Sequence, residues 1–154
     1  QEELVNQMSG IFNYTIYRPS TVYGYLPKGR LGIIAVMLSK SIKNQFIELF
    51  ASRSSLRDYV FVQDIAVFIV RVIVERRICN SSNRVFFLVS GRPISLYELI
   101  HNVELITGKR MFCSFSLFKK NSLSTTFSAS LLPKGFSTSP FDVALRKVYL
   151  SLTK

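Results

Sequence analysis

Two arginines in this chain of 154 residues stand where an apolar run gives way to a loop. One lies in Tyr17-Arg18-Pro19-Ser20-Thr21-Val22-Tyr23-Gly24, the other in Arg57-Asp58-Tyr59-Val60-Phe61-Val62-Gln63-Asp64-Ile65-Ala66. A guanidinium is planar and always charged, and its N–H donors form a fork that matches phosphate oxygens. Together the two phrases could build a pocket for a phosphorylated ligand. Arg57 is the candidate ligand residue; its alternative is an internal pair with a nearby acid such as Asp58. Arg18 reads as an anchor at a strand end.

Redox chemistry on a dinucleotide would need other residues. A Gly-rich strand-to-helix turn would cradle the pyrophosphate, but Gly24, Gly29 and Gly32 have the wrong spacing and no such context. None of the 7 tyrosines has a lysine four positions later. His101 sits in a predicted helix with no partner nucleophile or metal ligand in view, and reads as a surface residue. Tyr23 reads as a packing residue and Asp64 as a helix-start residue. Cys79 and Cys113 have neither a zinc spacing nor a disulfide-framework density. Two reduced thiols in a cytoplasmic protein are expected.

These residues need elements to hold them. Residues 1–8 read as the tail of a helix closed by Ser9-Gly10. Residues 13–17 are β-branched or aromatic and predict a strand, stopped by Pro19, which has no ladder donor. Residues 20–29 follow as a loop and 31–42 as an apolar helix. Strands are predicted at 46–50 and 59–62, separated by a polar turn over 51–55. Asp64 opens a helix to about residue 78, with Arg76 and Arg77 at its negative end. Residues 85–89 form an apolar strand suited to burial on both faces of a parallel sheet. Ser90-Gly91-Arg92-Pro93 is a turn, and Ser95 with Glu98 makes a capping box for a helix that ends at Gly108. A strand over 111–115, an irregular Ser/Thr-rich stretch over 121–140 and a closing helix over 140–152 complete the chain. Alternation of strand and helix predicts the α/β class.

Composition narrows the partners. Hydrophobic content of 48% with 13 Phe fits a packed core and excludes disorder. A chain of this size buries roughly two-thirds of its unfolded surface. No apolar run approaches the ~18 residues of a membrane span, so no membrane partner is expected. The net charge of +11 would attract nucleotides or nucleic acid. The basic residues are scattered, however, without the aromatic interleaving of single-strand binders, so nucleic acid is the weaker choice.

The two arginine phrases, with Ser90-Gly91-Arg92-Pro93-Ile94-Ser95-Leu96-Tyr97-Glu98-Leu99, carry a resemblance. In that order and spacing they resemble the C-terminal part of the NAD-dependent epimerase/dehydratase family, extended short-chain dehydrogenases that act on nucleotide sugars. The resemblance covers residues 1–107 and weakens over 108–154, within a single partial domain. It implies part of a Rossmann-type fold, with a small substrate-binding α/β subdomain and an incomplete parallel sheet. It implies that Arg57 holds the ligand diphosphate, that Leu49 and Phe50 lie against the base, and that Thr21 lies in the loop touching the sugar. Pro19 and Ser20 would lie beside the nicotinamide of NAD or NADP. Family chemistry starts with hydride transfer from a sugar carbon to NAD while a tyrosine, assisted by lysine four residues on, takes the hydroxyl proton. On this alignment the chain begins just after that lysine.

The phrases also depart from the family. Ala51 and Arg53 replace frequent glycines, Phe87 replaces an asparagine, Val89 replaces a glycine and Thr21 an asparagine. The second phosphate-binding arginine has no clear match, with Lys119 or Lys120 as possible substitutes. These changes suit an unusual substrate or relaxed selection. The expectation is the substrate-binding portion of a nucleotide-sugar epimerase or dehydratase, catalytically incomplete without an N-terminal Rossmann segment. The alternative is a non-catalytic module that binds a nucleotide sugar or a protein. Unpaired sheet edges predict association with a complementary chain, a homo-oligomer, or aggregation.

Overall fold

The computed structural model describes residues 1–11, 14–25, 31–75, 84–116, 124–127 and 132–153. Cys79, Arg76, Arg77, Lys119 and Lys120 lie outside the described residues.

A short helix α1 (Glu2–Gln7) leads to strand β1 (Thr15–Pro19), which runs parallel to β6 (Arg84–Leu88) with Tyr17 opposite Phe86. Pro19 is the last residue of β1 and pairs with Leu88, a strand-end position where a missing N–H costs little. The expected loop after Pro19 is interrupted by a further strand. Thr21–Tyr23 forms β2, parallel to β5 (Tyr59–Phe61). Its Thr-Val-Tyr run has strand-forming side chains, and pairing across long sequence separation overrides the loop signal of its neighbours.

Helix α2 (Ile33–Ile42) and strand β3 (Ile47–Leu49) follow; β3 runs parallel to β8 (Cys113–Phe115). The two-residue β4 (Leu56–Arg57) is antiparallel to β7 (Ile94–Ser95). Helix α3 (Val62–Val74) starts two residues before Asp64, which sits in its first turn without capping it. Helix α4 (Leu96–Thr107) is capped by Ser95, whose Oγ accepts from the Glu98 N–H at 3.1 Å. No bond from the Ser95 N–H back to the Glu98 carboxylate is found among the described residues, so one half of the expected capping box forms. Gly108, at φ 66°, supplies the left-handed residue that ends α4. Helix α5 (Phe141–Leu152) closes the chain.

Two cores share one strand. Ile34, Met37 and Leu38 of α2 pack with Leu99 and Val103 of α4 and with Leu145 and Val148 of α5. Val60, Phe68, Leu88 and Phe136 make the second core, flanked by Tyr17. Side chains alternate across a strand, so β5 sends Tyr59 and Phe61 into the first core and Val60 into the second. All three are buried. This alternation along β5 fixes the residues on either side, Arg57-Asp58 before it and Asp64 after it.

Candidate functional site

Arg57 stands on a narrow ribbon. Its backbone lies between Ile94 of β7 and a parallel bridge to Thr125. The ribbon is tightened by Thr125 N–H donating to Leu56 C=O at 2.9 Å and Leu56 N–H donating to Ser124 Oγ at 3.1 Å. The half-buried guanidinium spends one N–H on Thr125 Oγ1, at 2.7 Å from Nη1. No acid among the described residues forms an ion pair with it; the pair found there is Arg18–Glu2.

Asp58 cannot serve as that partner because its carboxylate is already saturated. Oδ1 accepts from Ser20 Oγ at 2.6 Å and from Ser90 N–H at 2.8 Å. Oδ2 accepts from Ser90 Oγ at 2.9 Å and from Gly91 N–H at 2.8 Å. The residue is 1% exposed. Arg57 and Asp58 are neighbours in sequence, but they point into different structures.

The two arginine phrases do meet, though not through their arginines. Arg18 turns to α1: its Nε donates to Glu2 Oε1 at 2.9 Å, its Nη2 pairs with Glu2 Oε2, and its guanidinium sits 5.7 Å from the Phe87 ring centroid. Among the described residues the two guanidiniums therefore engage different elements, Arg18 with Glu2 of α1 and Arg57 with Thr125. The phrases join instead by the β2–β5 ladder and the Ser20–Asp58 bond. Gly24 ends the first phrase against α3, where an added Cβ would lie 2.4 Å from Val62 Cγ1.

Of the other residues singled out, Leu49 is 3% exposed in the first core, and its C=O accepts from Ser116 N–H at 2.9 Å. Phe50, next along, is 44% exposed. Thr21 is exposed at the start of β2, with its N–H donated to Asp58 C=O at 3.2 Å. Pro19 is exposed at the carboxyl end of β1, the end of parallel strands where α/β folds place ligands. Ser20 has committed its N–H to Leu88 C=O at 3.0 Å and its hydroxyl proton to Asp58. Toward a dinucleotide these two residues therefore fit as a wall and an acceptor. His101 is exposed on α4, and Tyr23 is buried among Tyr59, Phe61 and Phe141. Cys113 is a free thiol that burial pushes up in pKa, with Arg53 nearby opposing the shift. Burial likewise raises the Tyr59 phenol, against the charge of Arg57.

Three contacts had little signal in the sequence. Asp58 as a hub could be suspected from an acid set directly before an apolar strand. Thr125 lies 68 positions from Arg57 and Ser139 lies 75 from Asp64, whose carboxylate accepts from Ser139 N–H at 2.8 Å and Oγ at 2.7 Å. No local pattern marks such pairs. Among the described residues no group of His, Cys, Asp and Glu could hold a metal ion, and no helix is long and apolar enough to cross a membrane.

The fold has well-matched counterparts among solved structures. The Thermus thermophilus UDP-glucose 4-epimerase in complex with NAD matches 99% of this chain and 51% of its own, with TM-score 0.78 and 18% identity. The Thermotoga maritima UDP-glucose 4-epimerase with UDP-glucose matches 99% and 50%, with TM-score 0.72 and 22% identity. These matches bear out the α/β, Rossmann-type expectation. In sequence, the chain is 32% identical over 110 residues to a Methanocaldococcus jannaschii protein named "Putative UDP-glucose 4-epimerase", an alignment covering 70% of this chain and 34% of that protein. The chain thus spans about half the length of the solved structures and about a third of that relative. Residues 2–83, just over half of the chain, match the profile of the NAD dependent epimerase/dehydratase family. The order of phrases, the fold and this match agree, and the chain belongs to the NAD dependent epimerase/dehydratase family.

Proposed function

We propose that this chain is the substrate-holding portion of an NAD-dependent nucleotide-sugar epimerase or dehydratase, whose redox residues lie in a Rossmann segment outside these 154 residues. The observation that carries the reading is the state of Arg57. Its charge is unpaired among the described residues, its backbone is pinned between Ile94 and Thr125, and one N–H is tied to Thr125 Oγ1. A guanidinium held in this way keeps the rest of its fork for the oxygens of a diphosphate. Bonds of this kind contribute about 1.5–3 kcal/mol each.

The other residues take supporting roles. Phe50 carries the exposed ring at the end of β3 for the base, and Leu49 holds that strand end in the core. Thr21 offers its hydroxyl toward the sugar. Pro19 walls the nicotinamide side, and Ser20 presents the lone pairs of an oxygen whose proton Asp58 holds. NAD or NADP, when bound, supplies the hydride-accepting chemistry. The chain works in the cytoplasm, with the Rossmann segment joined to it or supplied by a complementary chain.

Calorimetry with UDP, dTDP and GDP sugars, set against single-stranded DNA, tests the reading. Sugar-nucleotide binding should be weakened about 10- to 100-fold by Arg57→Ala, the loss of one such bond or more. Arg57→Lys should recover only part of it, because the fork is lost. Equal binding by the parent and Arg57→Ala would overturn the assignment of Arg57. NADH-linked turnover by this chain alone would overturn its incompleteness. If nucleotide sugars bind with Arg57 required but no Rossmann partner restores turnover, the non-catalytic binding module becomes the better reading.

A further inference from the structure

We propose a second ligand site: the cavity of about 810 Å³ between β5, the turn over 90–94, α4 and the start of α5 binds a small organic cation, an aryl-bearing ammonium. Arg57 does not line this cavity, so the site is separate from the proposed nucleotide pocket.

The cavity has an aromatic wall. Tyr23, Tyr59, Phe61 and Phe141 line it, with ring centroids 5.4–6.3 Å apart. Tyr23 is 5% exposed and Tyr59 is 9% exposed, yet neither hydroxyl has a hydrogen-bond partner among the described residues. Buried phenols usually find one. Nor are these oxygens sealed off. Among the described residues, the buried side-chain atom that is both unpaired and closed to solvent is Ser55 Oγ. Both residues line this cavity, Tyr59 and Tyr23 alike, and Tyr23 also borders a smaller one beside Val22 and Gly24.

Charge selects the ligand. The lining carries Glu98 and Asp142 against Arg92, an acidic balance in a chain of net charge +11. Neither acid forms an ion pair among the described residues. The charges of Asp64 and Asp142 join burial in raising the Tyr23 phenol, which keeps it neutral and able to accept. An ammonium donates without accepting and is attracted by ring faces. Lys147 Nζ already stands 5.7 Å from the Phe61 centroid, so the ring faces left to a ligand cation are those of Tyr23, Tyr59 and Phe141. An anion would meet Glu98 and Asp142 instead.

The test is calorimetry with phenethylammonium and its neutral isostere, phenethyl alcohol, at about pH 7, where carboxylates are ionised and phenols are not. The ammonium should bind saturably in the millimolar range, and the alcohol at least about tenfold more weakly. Asp142→Asn should weaken the ammonium about fivefold and Tyr23→Phe about threefold, with melting temperature retained. Arg57→Ala should not weaken it, because the charge removed beside Tyr59 is positive, and this separates the site from the nucleotide pocket. Should Tyr23→Phe fail to fold, Asp142→Asn, on an exposed helix turn, still decides the matter. Absence of saturation would mean that only water fills the cavity, and would overturn the proposal. Equal binding of alcohol and ammonium, or parent-like binding by Asp142→Asn, would equally overturn it.

Discussion

Ser20 Oγ donates to Asp58 Oδ1 at 2.6 Å, across 38 positions of sequence. The same carboxylate takes the amides of Ser90 and Gly91 just beyond β6. One buried anion thus gathers the carboxyl ends of β1 and β6 onto the start of β5.

Asp58→Ala removes the acceptor and leaves two amides and two hydroxyls to find others. Each unsatisfied buried donor costs about 1–3 kcal/mol, so the loss should reach about 3 kcal/mol or more. Asp58→Asn should recover little, because its amide group would face N–H donors. Urea unfolding followed by circular dichroism measures both; a loss under about 1 kcal/mol would show that the clasp is dispensable.

Gly24 has no room for a side chain. An alanine there would place its Cβ 2.4 Å from Val62 Cγ1 and 3.2 Å from Val62 Cβ. Gly24→Ala should cost about 1–3 kcal/mol, the usual range for overpacking. Val62→Ala introduced together with it should recover part of that loss. A double-mutant cycle on thermal melts reads the coupling, and simple additivity would place the strain elsewhere.

Thr125 orients the guanidinium of Arg57. Thr125→Val keeps the shape and removes the acceptor. Nucleotide-sugar affinity should fall about threefold to tenfold, in line with one hydrogen bond, while the urea midpoint stays close to that of the parent. A Thr125→Val chain that binds normally would make Thr125 a packing neighbour only.

Alkaline pH should unfold the chain through its buried phenols. Burial raises the pKa of both Tyr23 and Tyr59 in the folded state. Their contribution is therefore complete below the unfolded phenol value of about 10. Above it the unfolded chain ionises first, and stability is lost as pH rises toward the folded values. Phenolate absorbance in the near ultraviolet is clean because the chain has no Trp. Two of its phenols, those of Tyr23 and Tyr59, should ionise late, together with unfolding, and Tyr59→Phe should lessen the alkaline loss. Titration of every tyrosine near pH ~10 without unfolding would contradict this.

Helix α3 carries an outward apolar row in Val67, Val70, Ile73 and Val74, 57–74% exposed. Such a stripe, with a β1–β6 sheet of two strands among the described residues, should make the isolated chain self-associate. Light scattering should show mass rising with concentration, and Val70→Lys with Val74→Glu should reduce it. A parent chain that stays monomeric at all concentrations would count against the expectation.

Much of the local architecture was legible because its causes are local. Ser95 ahead of Leu96, Gly108 after Thr107 and the Phe-rich run of β6 each announce an element by their own chemistry. Boundaries moved where pairing extends an element beyond its local signal, as at β2, and where the α3 helix takes Val62 from the expected strand. The site was less legible. Arg57 and Asp58 sit side by side in the chain, and an ion pair between them is as plausible on paper as a phosphate grip.

The amino-acid order determined that an arginine precedes an apolar strand, that an acid follows it, and that family phrases recur in sequence. Tertiary structure decided how those side chains divide: Asp58 inward to Ser20, Ser90 and Gly91, Arg57 sideways to Thr125. The reason is that strand alternation sets direction locally, whereas a hydrogen-bond partner 32 to 68 positions away exists only once the strands have paired.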